Sequence, residues 1–114
     1  MLDAMSGDIS ERDWKVFRQI HPVARDRFCE HVLSEIGRAS SASGQSAHQR
    51  YLKVFELLSD KDKQLAALFD NPRRSRAREQ LSMIASAGLL TDEELSRFTE
   101  ETRKSISVYA SQRI

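Results

Sequence analysis

Four glycines and two prolines among 114 residues leave little material for tight turns, well below the combined ~12% of an average protein. Threonine occurs only three times, and Leu and Ala, at 11 each, together outnumber the 11 Val plus Ile by two to one. Helix formers therefore dominate over strand formers, which disfavours a β-sandwich, a β-barrel and a glycine-punctuated dinucleotide-binding unit. The single cysteine, Cys29, excludes an internal disulfide and a cysteine-rich zinc site; it fits a reducing compartment, and a cytoplasmic location is the expectation. The longest unbroken apolar run, Leu65 to Phe69, is far shorter than the ~20 residues of a membrane-spanning helix. Asp3 and Asp8 stand where a signal peptide would carry its apolar segment, so neither membrane insertion nor export is expected. No charge of one sign prevails. Lys plus Arg is 18 and Asp plus Glu is 17, and the sequence pI near 7.9 lies below the ~9 of a dedicated nucleic-acid binder.

What is present is helical periodicity. Residues 1–9 have none and read as a flexible leader, and residues 10–114 read as one helical domain. Ser10 precedes Glu11, Arg12 and Asp13, so its hydroxyl can cap a helix whose first turn carries acids at the positive end of the dipole. Phe17, Ile20, Ala24, Phe28, Val32 and Ile36 then recur every three or four residues, with Trp14, Cys29 and Leu33 widening the stripe. Because the apolar phase is the same on both sides of Pro22, the spacing predicts one long helix over 10–39, kinked at Pro22, in preference to a break at 20–22. Gly37 to Ser46 contains four serines and two glycines and reads as a mobile loop. Ala47, Tyr51, Val54, Phe55, Leu58, Leu65, Leu68 and Phe69 predict a second long helix over 46–70, continuous through the polar run 59–64. Pro72 opens a helix to about residue 87 with Gly88 as its stop. Thr91-Asp92-Glu93-Glu94 is a capping box, and Thr99 introduces a last helix over about 100–111. The fold expected is an all-α antiparallel bundle of four or five helices, with its aromatic residues as core.

The segment Leu81 to Phe98 (LSMIASAGLLTDEELSRF) resembles the helix, Gly-Leu-Leu-Thr turn and Glu-Glu-Leu helix of short C-terminal hairpin modules such as the SHOCT family. It covers 18 of the 114 residues, and what it implies is a helical hairpin able to dock on a partner.

Chemistry-bearing patterns are few. None of His21, His31 and His48 has an acid three positions before it, which fails the spacing of a di-iron bundle. Cys29 and His31 point to different sides of a helix, so no metal ligand set, cofactor or catalytic residue is expected. The one concentrated feature is Arg73, Arg74, Arg76 and Arg78, immediately after Pro72. Guanidinium groups at a helix start oppose the macrodipole, so they either pair with acids of the chain such as Asp60, Asp62, Asp70 or Glu79, or form an anion site. The aromatics that interleave arginines in single-strand binders are missing, so a nucleic-acid partner is not expected. The leading expectation is a non-catalytic helical interaction module, self-associating as a homodimer or docking another helical protein. Anion or nucleic-acid binding through the four arginines is the alternative, with nucleic acid the less expected of the two ligands, and an enzyme or small-ligand binder with a pocket between helices is a third.

Overall fold

The structure is a computed structural model and describes residues 8–112, with side chains described as far as Ile106. Within them the chain is helical with no strand: α1 (Glu11–Ser40), α2 (Ala47–Phe69), a 3-10 turn (Arg74–Arg76), α3 (Ala77–Ser86), α4 (Asp92–Ser96) and α5 (Glu100–Gln112). The all-α expectation holds, as does the number of helices. Residues 1–7 of the expected leader lie outside the described residues, and so does the side chain of Tyr109.

The helix ends follow from capping. The Ser10 hydroxyl accepts the Asp13 amide at 3.1 Å, and Ser46 with Gln49 and Thr91 with Glu94 form reciprocal capping boxes. Asn71 takes a left-handed conformation (φ 49°) between α2 and Pro72. Gly88, at φ 75°, closes α3, and the amide after it, Leu89 N, bonds back to Ile84 O at 3.3 Å, the pattern for which glycine is favoured. Two boundaries differ from the sequence reading. The 37–46 loop narrows to 41–46, because α1 continues through Ser40; the Ser40 and Ser41 hydroxyls return to Gly37 O at 3.0 and 2.7 Å, occupying a carbonyl that would otherwise be bare. The first turn after Pro72 is 3-10 rather than α.

Helix α1 runs through Pro22 without a break. The ring stands at an exposed position, so the carbonyl it leaves unpaired, that of Arg18, faces the side where water can serve it. The neighbouring His21 is buried and its Nε2 meets Phe69 O at 2.9 Å, pinning the end of α2 beside the proline. Lys61 pairs with Glu35 at 3.7 Å, and Arg50 donates to Ser40 O at 2.6 Å. These three ties, advancing on one helix as they retreat on the other, make α1 and α2 an antiparallel hairpin.

The core surrounds the N-terminal half of α1: Phe17, Ile20, Ala24 and Phe28 pack with Phe69, Ala77, Leu81, Ile84, Leu89, Phe98 and Ile106. Ile9 joins them at 0% exposure, which corrects the leader reading at its last residue. At about 1.5 Å per residue α1 is roughly 45 Å long, whereas α3 is about 15 Å, so the short helices cover only one end of the hairpin. The rest projects as a two-helix arm, and the molecule measures 60 × 27 × 24 Å.

Candidate functional site

Within the arm, residues 29–62, Val32 alone is buried. Yet α2 carries an apolar row that runs from the arm into the core and is interrupted at Asp62: Tyr51, Phe55, Leu58, Leu65 and Phe69 fall at intervals of four, three, seven and four, on one side of a helix. The two ends of that face meet different surroundings. Phe69 is enclosed by ring contacts to His21 and Phe28, with centroids 5.4 and 6.2 Å apart. Beyond the reach of the short helices, Leu58 is 52%, Phe55 63% and Tyr51 66% exposed, and Leu33 of α1 joins them at 63%. The expectation that the aromatics are core therefore fails for Tyr51 and Phe55. Periodicity identified the apolar face correctly, but among the described residues no helix covers it.

Between the two helices the ridge encloses a groove of about 170 Å³. Phe28 and Val32 form its floor, with Cys29 and Leu33 on the α1 wall and Leu58 and Leu65 on the α2 wall. Its polar members are Lys61, tied to Glu35, and Asp62. A groove with so few convergent polar groups can bind an apolar surface.

The opposite end of the hairpin is held by polar ties that sequence reading missed. Asp13 is fully buried and accepts the Thr99 amide at 3.0 Å, the Thr99 hydroxyl at 2.6 Å and the Thr102 hydroxyl at 2.6 Å. It thus caps α5 from the first turn of α1. Burial by itself pushes its carboxyl up, but the Thr102 and Thr99 bonds, with help from Ser10, outweigh that and hold the pKa below the ordinary value. Arg27 forks onto Glu94 at 2.7 and 2.8 Å and also donates to Leu89 O at 2.9 Å. The Arg27 hydrogen bonds lower the Glu94 pKa to about 2, and those to Glu94 raise that of Arg27. Glu94 thereby serves its own capping box and the α1–α4 tie together.

The four arginines do not act as one group. Arg74 Nε donates to Ile9 O at 2.9 Å, and Arg78 stands 3.7 Å from Glu101, with its Nε buried and unpartnered. Arg73 is exposed and Arg76 half-buried. Asp60, Asp62, Asp70 and Glu79, the acids suggested by sequence, form none of these ties. His31 and His48 are exposed, His21 is occupied by Phe69 O, and among the described residues no three His, Cys, Asp or Glu side chains gather as metal ligands. Among the same residues no helix is long and apolar enough to cross a membrane.

No protein family, curated protein or solved structure matches the chain significantly.

Proposed function

We propose that this chain is a non-catalytic helical interaction module that pairs with a second copy of itself through the α1–α2 arm, in the cytoplasm. The observation that carries the reading is the row Leu33, Tyr51, Phe55 and Leu58, each more than half exposed on an arm with one buried residue. An amphipathic helix obtains most of its stability from packing its apolar face, and a two-helix arm has only one partner for each helix. Two arms laid together give a four-helix bundle, in which every apolar stripe faces another. The four side chains leave on the order of 500 Å² in water, given the 150–250 Å² an aromatic residue can bury. With the groove walls added, this approaches the ~800 Å² per partner of a stable complex.

The arginine cluster supports the anion reading less, since Arg74 and Arg78 are engaged within the chain. An enzyme has less support still, because the groove lacks convergent polar groups. Light scattering on material eluting from a sizing column tests the proposal. A mass twice the 13.0 kDa chain mass, falling on dilution, is expected; a mass of one chain at every concentration would remove the reading.

A further inference from the structure

We infer that the groove between α1 and α2 is the seat for the Phe55 ring of a second copy, each arm inserting its ring into the other. This rests on the self-association proposed above and adds what fills the groove, in which register, and what it does to Cys29.

The size of the groove points to its occupant. An apolar protein cavity of about 150 Å³ accepts one benzene molecule, and the groove here is about 170 Å³. Its walls are aliphatic, with the Phe28 ring at the floor and Cys29 at one side, a setting in which aromatic rings pack well against polarisable sulfur. Phe55 is the nearest unburied phenyl ring in sequence, at 63% exposure, and its own chain does not seat it. The groove lies level with Lys61 and Asp62 on α2, six to seven residues beyond Phe55, roughly 10 Å along the axis.

A two-fold pairing closes that distance. In an isologous contact residue i meets residue j and j meets i. When antiparallel copies of α2 cross at Leu58, each Leu58 meets its copy, Phe55 comes opposite position 61 beside the groove, and Tyr51 comes opposite Leu65. The face spaced 51, 55, 58, 65 is close to symmetric about Leu58, so one register satisfies all three contacts. Charge does not oppose it: Lys61 and Asp62 rim the groove, and Lys53 and Glu56 flank Phe55, one of each sign on either side. A strongly acidic or basic partner finds no matching field there.

The chain's lone cysteine supplies the readout. Phe55→Cys places a thiol opposite the partner's Cys29, while within one chain the two positions are separated by roughly 10 Å along the hairpin, too far to bridge without moving the backbone. Under oxidised glutathione, Phe55→Cys is expected to form a covalent dimer at least tenfold faster than wild type or the Cys29→Ser, Phe55→Cys double variant, with the disulfide mapping to position 55 and Cys29. If Phe55→Cys has dimeric mass but gains no such link, the inference falls and self-association stands. If Phe55→Cys is monomeric, the wild-type thiol decides. Alkylation of Cys29 by iodoacetamide slowing at least tenfold across the concentrations at which the mass doubles upholds the seat, and an unchanged rate overturns it. A wild type that is monomeric throughout takes down the underlying proposal as well.

Discussion

Asp13 at the start of α1 holds Thr99 at the start of α5 by two bonds, from the backbone amide at 3.0 Å and from the hydroxyl at 2.6 Å. Residues 86 positions apart thus share one buried carboxylate, and Thr102 adds a third donor. This joint closes the bundle end and leaves the arm free to do something else.

Removing the carboxylate should be costly. Asp13→Ala leaves an amide and two hydroxyls without their acceptor, and unsatisfied buried donors cost about 1–3 kcal/mol each before relaxation. A total near 3 kcal/mol is expected, with a fall of roughly 10–20 °C in thermal midpoint for a domain of this size. Thr102→Val, which removes one donor along with its share of the acceptor's bonding, should cost about 1 kcal/mol. Circular dichroism melting curves of the two variants give the comparison.

Acid should loosen the α1–α4 tie. Glu94 has its pKa lowered from 4.5 to about 2 in the folded chain, so its contribution is fully present above the unfolded value and is lost as pH falls through the folded one. Glu94→Gln keeps the capping box, which accepts either residue, but loses the ion pair. The pair is partly exposed, so solvent screening limits it to about 1 kcal/mol at pH 7. Urea midpoints of wild type and Glu94→Gln should differ at pH 7 and converge as pH drops toward 2.

Two glycines should respond oppositely to alanine. Gly88 has φ +75° and open space around a Cβ, so Gly88→Ala costs backbone strain alone, about 1 kcal/mol. Gly37 also has open space but lies inside α1, where Gly37→Ala should gain roughly 0.5–1 kcal/mol. Equilibrium unfolding in urea reads both signs.

Leu58→Glu should separate assembly from folding. The side chain is 52% exposed, so the isolated chain should lose no more than about 0.5 kcal/mol. At the crossing point of two arms, however, the substitution sets two carboxylates against each other in an apolar contact. Unchanged helicity with a chain-sized mass by light scattering is expected. Leu81→Ala, at a fully buried core position, should do the reverse, costing about 2–5 kcal/mol of fold stability.

The bundle was legible in the sequence wherever a local signal sufficed. The stripe from Phe17 to Val32 marked the buried side of α1, Thr91 with Glu94 marked α4, and Gly88 marked the end of α3. Ile9 escaped because a single apolar residue has no period; its place directly before the Ser10 cap, with Trp14 four positions into the helix, is the spacing of a hydrophobic staple and could have found it. Asp13, Thr99 and Thr102 escaped because nothing in their sequence neighbourhood links positions so far apart. Tyr51 and Phe55 were misread because a stripe reports which face is apolar, not whether a neighbour is long enough to reach it. Comparing a helix of 30 residues with one of 10 would have exposed the mismatch.

Sedimentation equilibrium of the wild-type chain over about a hundredfold range of dilution tests most directly whether the bare ridge of the arm is covered by another copy. A reversible monomer–dimer curve rising to twice 13.0 kDa is the result expected, and 13.0 kDa at every dilution would contradict it.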